Sequence, residues 1–225
     1  MNKIGLSKMK KTAPEEIERV HVNQVYDKIA KHFDHTRYKP WPGVKNFVSS
    51  LKPYSLLLDL GCGNGRNLCI NTKLIDMGTD ISMPLCEFAS KQGRPIFRSS
   101  AINIPIKNDT LDHIICIAVI HHFASEERRI QCLKEISRIL KVGGTAFVTA
   151  WAFEQKSRVK IDDADQMVPW NSDARFTEKS DKLDRFYHFF KKGEFAKLAE
   201  SVPSLKLKSE EWEKDNWNAT FEKIQ

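Results

Sequence analysis

Two adjacent histidines, His121 and His122, end an apolar run in the stretch IAVIHHF, residues 117–123. Paired imidazoles at the end of a buried strand suit four roles: metal binding, general base catalysis, substrate positioning or packing. Metal binding is disfavoured because no carboxylate or third ligand stands at a usable spacing. Side chains alternate along a strand, so we expect one imidazole to face a site and its neighbour to face away. His121 is the stronger candidate for a donor that positions a substrate.

A glycine-rich turn, LDLGCGNGRN at residues 58–67, follows an apolar run and is a second candidate site. Its glycines are Gly61, Gly63 and Gly65. A dinucleotide fingerprint needs a further glycine where Arg66 stands, so the loop suits a ligand without a pyrophosphate. Asp59 is placed to orient the loop or to take an ammonium group, directly or through water. Asp80 ends the next apolar segment, where a carboxylate accepts both hydroxyls of an adenosine ribose.

A parallel sheet is needed to bring these residues together, and the chain alternates strand and helix patterns as such a sheet requires. Four strand-like segments are SLLLDL, LIDMGTDIS, LDHIICIAVIHHF and TAFVTAWAF. The third is apolar on both faces, which is typical of a parallel strand. SEERRIQCLKEISRILKVGG predicts an amphipathic helix that is capped by Ser125 and stopped by Gly143 and Gly144. The pattern predicts a right-handed, doubly wound α/β sheet.

The rest of the chain fits one domain over residues 15–225 behind a disordered basic leader at 1–14. Residues 15–38 and 44–51 have helical spacing. Residues 156–182 are polar without either period and predict a flexible loop or lid. A helix over roughly 185–201 is expected next, and then a hairpin formed by LKLKSEEW and NWNATFEKI that closes the sheet edge.

Composition narrows the class of protein. The chain has 225 residues, of which 41% are hydrophobic and 29% charged, and no run approaches the roughly 18 apolar residues of a membrane span. Its five cysteines are an odd number without a C-x-x-C pair, which argues against a disulfide framework and a zinc site. We expect a reducing compartment, the cytoplasm, with the nucleus as the alternative. The net charge of +7 weakly favours a polyanionic partner.

Six further motifs occur in order along residues 15–200, and together they are specific. They are HFDHTRYKPWP, IAVIHHF, EERR, AWAFEQ, VPW and RFYHFFKKGEF. This set resembles the eukaryotic tRNA methyltransferases that esterify carboxymethyluridine at the wobble position, including the methyltransferase domain of the related AlkB-homologue fusion. Residues 56–150 likewise resemble Rossmann-like S-adenosylmethionine-dependent methyltransferases. The resemblance implies a single seven-stranded, mostly parallel sheet with helices on both faces and S-adenosylmethionine as cofactor.

The resemblance also implies a cofactor site around the glycine turn. Its expected residues are Asp59, Gly61, Cys62, Gly63, Gly65, Asp80, Ile81, Ser100, Ala101, Ile102 and Ala118. The chain departs from the family at one position. Members place an aspartate at the end of strand three to receive the adenine amino group, and Ser100 stands there instead.

On the substrate side, the implied reaction moves a methyl group onto a carboxylate, which is already ionised at neutral pH and needs no strong base. The site must therefore align and desolvate the acid. The expected catalytic residues are Arg37, His121 and Arg185. The expected substrate-binding residues are Tyr38, Trp41, Arg129, Trp151, Tyr187 and His188. Packing in the core remains the alternative for both tryptophans, and a solvated helix face for Arg129.

The implied partners are a tRNA anticodon loop and a small zinc-ribbon activator protein that pairs with strand three near Ile96 and Phe97. Two other functions stay open at this point. One is a methyltransferase of the same fold that acts on a quinone, a sterol or a free acid. The other is a non-catalytic tRNA-binding protein.

Overall fold

The computed structural model describes residues 12–36, 39–156, 161–170 and 183–225. The predicted site residues Arg37 and Tyr38 lie outside the described residues, as does most of the leader. The predicted N-terminal helix is present as α1 (Pro14–Glu18), a π-helical turn (Arg19–Asn23) and α2 (Gln24–Thr36). Within the described part of the chain, no helix is both long enough and apolar enough to cross a membrane.

Nine strands in the described residues form one large and one small sheet. They are β1 (Leu56–Leu60), β2 (Ile75–Asp80), β3 (Ile96–Arg98), β4 (Leu111–Ile117), β5 (Leu140–Trp151), β6 (Asp165–Pro169), β7 (Asp184–His188), β8 (Leu205–Glu213) and β9 (Asn216–Lys223). Seven of them pair in the order β3-β2-β1-β4-β5-β9-β8. The first five are parallel, and β9 runs antiparallel to both β5 and β8. This arrangement confirms the predicted seven-stranded, mostly parallel sheet and its C-terminal hairpin.

Helices cover both faces of this sheet. Besides α1 and α2 they are α3 (Pro42–Ser50), α4 (Met83–Ser90), α5 (Glu126–Ile139) and α6 (Glu194–Glu200). In β1, Leu58 packs in a core with residues of α5 and α6, whereas its neighbour Leu57 packs against Val44 and Val48 of α3. Successive strand side chains point to opposite faces, so this alternation places the two sets of helices on opposite sides of the sheet.

Helix α5 ends earlier than the sequence suggests. Ser125 caps its start, since the Arg128 amide donates to the Ser125 hydroxyl at 3.4 Å. The helix stops at Ile139 because Leu140 already has extended backbone (φ −70°, ψ 142°) and begins β5. The glycines predicted to stop the helix therefore lie inside β5. Gly144 is needed there because a Cβ would come within 2.9 Å of the Asp112 carbonyl oxygen.

The RFYHFF segment is a strand, so the helix predicted over 185–201 is wrong for its first half. β7 pairs antiparallel with β6, a strand inside the range predicted to be an unstructured loop or lid. Apolar and polar residues do not alternate along β7 because both of its faces are covered. Phe186 packs against Ile17 and Val22 of the N-terminal helical segment, whereas Tyr187 packs with Val168 and Phe189.

Candidate active site

A deep cleft lies at the carboxyl ends of the parallel strands, between the sheet and the N-terminal helical segment. Its volume, counted out to the solvent-open mouth, is about 1270 Å³. One end is lined by the glycine turn and Asp80, and the other by His121, Tyr187 and Arg185. Ligands of open α/β sheets bind at this edge, so the cleft is the candidate active site.

The glycine turn adopts backbone that other residues reach only with strain. Gly61 has a φ of +75°, and a Cβ on it would lie 2.2 Å from a methyl carbon of Val119. Gly63 has a φ of +56° and faces the Phe33 ring of α2. Both line the cleft. Gly65 packs instead against Ala89 of α4 and lies outside the cleft wall, so its part is to shape the turn.

Asp80 presents a fixed carboxylate to the cleft. One of its oxygens accepts a hydrogen bond from the Gly63 amide at 2.9 Å, and the other accepts one from the Ser82 amide at 2.9 Å. Burial raises the pKa of Asp80, and these backbone hydrogen bonds oppose that shift. A carboxylate fixed in this way at the cleft wall is suited to receive the hydroxyl groups of a ribose.

Asp59 is fully buried behind the wall that Leu60 and Gly61 form. Neither carboxylate oxygen has a well-formed hydrogen bond among the described residues. Burial raises the pKa of Asp59 to about 7, against the opposing effects of Arg66 and Asn67. Buried carboxylate oxygens at this edge suit an ammonium group held through water. Together with Asp80 and the glycine turn, they fit an amino-acid-bearing nucleoside.

The other predicted cofactor residues divide into two groups. Cys62, Ile81, Ser100, Ala101 and Ala118 line the cleft. Ala118 has a φ of +60°, and its amide donates to both the Thr149 carbonyl and hydroxyl oxygens, at 3.1 and 3.0 Å. Strained backbone of this kind concentrates at ligand sites. Ile102 does not line the cleft and packs against the core, and its contact with the cofactor stays a prediction.

His121 and His122 do not lie on a strand. They belong to a 3₁₀ turn, Ile120–His122, that follows β4. Both are buried and both line the cleft, with their ring centroids 4.5 Å apart and the rings nearly perpendicular. The expectation that one imidazole faces away is therefore wrong, because a 3₁₀ turn does not alternate its side chains as a strand does.

The protonation state of His121 follows from its partner. The Trp151 amide lies 3.0 Å from Nδ1, so that nitrogen accepts a hydrogen bond and the ring proton resides on Nε2. Nε2 is buried and has no partner among the described residues. Burial, followed by the neighbouring His122 and Arg185, lowers the pKa of His121 well below its ordinary value. His121 is thus a neutral donor that lacks an acceptor, and it is a poor general base.

His122 has no free ring nitrogen. Its Nδ1 lies 2.8 Å from the Phe186 carbonyl oxygen, and its Nε2 lies 2.9 Å from the Tyr26 hydroxyl. Burial lowers the pKa of His122 to about 3. Both nitrogens are committed to the protein, so His122 serves as part of the wall and does not exchange protons with a substrate.

Arg185 places a permanent cation in the wall of the cleft. Its side chain is 94% buried, and the guanidinium carbon lies 4.6 Å from the Trp170 ring and 5.0 Å from the Tyr187 ring. Burial lowers the pKa of Arg185, but Tyr187 and Tyr26 more than compensate and raise it. No carboxylate of the described residues pairs with it, and its Nε has no partner there. A buried cation without a carboxylate partner in the described part of the chain makes this end of the cleft suited to an anion.

Aromatic rings complete both ends of the cleft. Trp151 and Tyr187 stack with centroids 4.5 Å apart and planes at 21°, and both line the cleft beside Arg185. Trp41 lines it near the glycine turn, with the Arg66 guanidinium 5.4 Å from its ring. These flat surfaces fit a planar heterocycle next to the anion site.

Two residues predicted to bind substrate have other partners. Arg129 is buried outside the cleft wall, where it donates to the Phe123 carbonyl at 3.0 Å and lies 3.9 Å from Glu194. His188 contacts Asp165 through Nδ1 at 2.5 Å and Glu194 through Nε2 at 2.6 Å. Neither residue lines the cleft, and their contacts with a substrate stay predictions. Their hydrogen bonds and ion pairs instead connect α5, β6, β7 and α6.

Tyr26 and Arg66 are among the cleft residues that the sequence did not identify. Tyr26 lies within residues 15–38, which show only helical spacing, and its hydroxyl gave no signal of its role. Arg66 was used only to exclude a dinucleotide motif, although it follows the glycine turn directly. Both side chains line the cleft.

Comparison with known proteins agrees with this geometry. A family profile described as "Methyltransferase domain" matches residues 58–148. A tRNA (carboxymethyluridine(34)-5-O)-methyltransferase of Schizosaccharomyces pombe is 38% identical over 92% of the chain and 98% of its own length. One of Arabidopsis thaliana bearing the same name is 42% identical over 68% of the chain and 37% of its own length.

Among solved structures, the fold is similar to that of a methyltransferase in complex with the Haloferax volcanii Trm112 methyltransferase activator. The TM-score is 0.66 at 15% identity, over 92% of this chain and 98% of the other. S-adenosylmethionine is therefore the cofactor that fits the glycine-turn end of the cleft. The identity shared with the fission yeast enzyme over almost the whole of both chains shows that this chain belongs to the family of tRNA (carboxymethyluridine(34)-5-O)-methyltransferases.

Proposed function

We propose that this chain methylates the carboxylate of 5-carboxymethyluridine at the wobble position of tRNA and releases the methyl ester. The observation that carries the proposal is the buried Arg185 guanidinium, which lines the cleft without a carboxylate partner among the described residues. A cation in that position suits a substrate that brings its own negative charge. A neutral quinone or sterol would leave it unpaired.

The reaction needs no proton transfer. One carboxylate oxygen forms a bond to the methyl carbon while the bond from that carbon to sulfur breaks, and the electron pair stays on sulfur. S-adenosylmethionine supplies the electrophilic methyl group. An anion and a sulfonium cation become a neutral ester and a neutral thioether, so a site of low polarity favours the transfer. The lowered pKa values of His121 and His122 are consistent with a reaction that uses no base.

The residues of the chain align the acid. Arg185 holds one carboxylate oxygen, and the Nε2–H of His121 donates to the same group or to a uracil carbonyl. The stacked pair of Trp151 and Tyr187 forms the wall against the base. Orientation of this kind contributes more to a displacement reaction than acid–base chemistry does when the nucleophile is already ionised.

Access to this site requires the wobble base to leave the anticodon loop. Extrusion costs little in a single-stranded loop. Trp41 lies at the cofactor end and offers a further ring for stacking. Arg37 and Tyr38, which follow α2, remain proposed contacts to the substrate carboxylate or an anticodon phosphate.

The proposal includes a small zinc-ribbon activator protein as partner and a cytoplasmic location. β3, with Ile96 and Phe97, is an edge strand of the large sheet, and an edge strand offers unpaired backbone groups to another chain. Copurification of the activator with the wild-type chain, and its loss on Phe97→Pro, tests the docking edge. Retention of the activator by the proline variant would move the interface elsewhere.

The reaction is tested by incubating the chain and activator with methyl-labelled cofactor and tRNA that carries carboxymethyluridine. We expect label that alkali releases from the tRNA, because esters hydrolyse in base and methylated bases do not. tRNA with unmodified uridine at position 34 is the control. Cofactor binding without base-labile label would refute the proposal. Turnover of small carboxylic acids without tRNA would support a small-molecule enzyme instead.

A further inference from the structure

Tyr26 of helix α2 enters the substrate end of the cleft from outside the sheet. Its hydroxyl lies 2.9 Å from His122 Nε2, and its ring meets His122 and Phe33 edge to face, with centroid distances of 5.2 and 5.7 Å. Tyr26 also lines the cleft beside Arg185. The side chain therefore joins the N-terminal helical segment to the anion site.

The direction of these hydrogen bonds is fixed by chemistry. The Phe186 carbonyl can only accept, so His122 donates to it from Nδ1 over 2.8 Å. Burial keeps His122 neutral by lowering its pKa, so its single proton is used in that bond. His122 Nε2 must then accept, and the Tyr26 hydroxyl must donate to it. The proton of Tyr26 is thus turned away from Arg185.

A hydroxyl that donates in one direction offers its lone pairs in the others. Arg185 has only donors, and it lines the cleft with Tyr26 and Tyr187, whose hydroxyl groups raise its pKa. Arg185 and Phe186 are neighbours in β7. The hydrogen bonds from the Phe186 carbonyl through His122 therefore lead to a Tyr26 hydroxyl that lines the cleft together with Arg185, the neighbour of Phe186.

We propose that Tyr26 is a positioning residue for Arg185: it holds the guanidinium in the orientation that receives the substrate carboxylate, and His122 fixes the direction of its hydroxyl. This inference rests on the proposed function. It makes the N-terminal helical segment part of the site that distinguishes a carboxylate from a neutral group of the same shape, such as a carboxamide.

A second contact holds the same segment against the sheet. Glu18, at the end of α1, is 94% buried and accepts from Arg128 of α5 at 2.7 Å and from the Ala124 amide at 2.9 Å. Tyr26 therefore belongs to a helical segment that is held against the sheet. Substitution of its hydroxyl alone should leave the segment in place, since Glu18 and the ring contacts of Tyr26 persist.

The test measures binding of two anticodon stem-loops to the chain, with activator and S-adenosylhomocysteine present so that no transfer occurs. One stem-loop carries 5-carboxymethyluridine and the other 5-carbamoylmethyluridine. Tyr26→Phe keeps the ring and removes the hydroxyl. Tyr54→Phe is the matched control, because Tyr54 is 80% exposed and lies before β1, away from the cleft.

We expect the wild type and Tyr54→Phe to prefer the acid over the amide, and Tyr26→Phe to lose about fivefold of that preference with unchanged cofactor affinity. Combining Tyr26→Phe with Arg185→Lys should cost little more than Arg185→Lys alone, because the two residues act as one unit. If the ratio of the two affinities is unchanged in Tyr26→Phe, Tyr26 only packs and the inference is overturned. Multiplicative losses in the double variant would overturn it as well.

These outcomes separate the inference from the proposed function. A wild-type chain that binds acid and amide equally would refute selection of a carboxylate, and the proposed function with it. A wild-type chain that prefers the acid, together with a Tyr26→Phe variant that prefers it equally, would refute only the role of Tyr26.

Discussion

Replacing Arg185 by methionine should separate activity from stability. Methionine retains an unbranched chain that fits between the Trp170 and Tyr187 rings, but it removes the charge. A hydrogen bond to a charged group contributes about 1.5–3 kcal/mol, and each 1.36 kcal/mol is tenfold in rate. We therefore expect kcat/KM on carboxymethyluridine tRNA to fall about 10- to 150-fold.

The same change should alter the stability of the fold little. The guanidinium is 94% buried and pairs with no carboxylate of the described residues, but Tyr187 and Tyr26 offset its desolvation, so its removal relieves that cost and loses the compensating contacts together. Replacing such a charge by an apolar side chain of similar size is commonly neutral or stabilising. Urea unfolding of the wild type and Arg185→Met at one pH compares the two free energies directly.

Arg185→Lys is the control for charge alone. Lysine keeps the cation and loses the planar, two-pronged donor set, so we expect an intermediate activity. Cofactor affinity, measured by calorimetry, should be unchanged in both variants because the neighbours of Arg185 are Trp170, Tyr187 and Tyr26 rather than Asp80 or the glycine turn. Turnover of Arg185→Met within about threefold of wild type, under 1 kcal/mol of barrier, would refute the assignment.

Three further predictions concern the cofactor end and the buried charge cluster. Gly61→Ala should destabilise the chain more than Gly93→Ala. Both glycines have a positive φ, but only at Gly61 would a Cβ clash, with Val119. Urea midpoints of the two variants measure the difference, and equal losses of stability would refute the clash. Ser100→Asp should tighten cofactor binding about 2- to 10-fold by adding an acceptor for the adenine amino group, and calorimetry showing weaker binding would refute it. His188 contacts two carboxylates and its pKa is raised, despite the opposing effect of burial, so its stabilising effect is complete below pH ~6.5 and is lost as the pH rises through the folded pKa. The free-energy difference between wild type and His188→Gln should shrink between pH 6 and pH 9, and a pH-independent difference would contradict this.

The sheet was predictable because its signals are local. Two strands are predicted from apolar runs of strand length near Asp59 and Asp80, and the start of a helix is predicted from the N-cap residue Ser125. Each of these predictions needs only neighbouring residues. The exceptions are elements whose environment is supplied from far along the chain. β7 was predicted as a helix because residues from the N-terminal segment and from β6 cover both of its faces, which removes the alternation that identifies a strand.

The cleft was predictable where backbone geometry dictates residue type, and less so where side chains compete for partners. Gly61, Gly63 and Asp80 lie in the cleft wall as expected. The sequence predicts that Arg129 and Arg185 both contact the substrate. Glu194 and the Phe123 carbonyl occupy the first, whereas the described neighbours of the second are the rings of Trp170 and Tyr187 and the hydroxyl groups of Tyr26 and Tyr187. That difference exists only in three dimensions.

The most direct test of the account is a structure of the chain with its activator, S-adenosylhomocysteine and an anticodon stem-loop that carries 5-carboxymethyluridine. We expect the carboxylate within hydrogen-bond distance of Arg185, with one oxygen within about 4 Å of the sulfur. The Nε2–H of His121 should donate to the same uridine. A uridine bound with its carboxylate in solvent, or with Arg185 turned to an anticodon phosphate, would contradict the account.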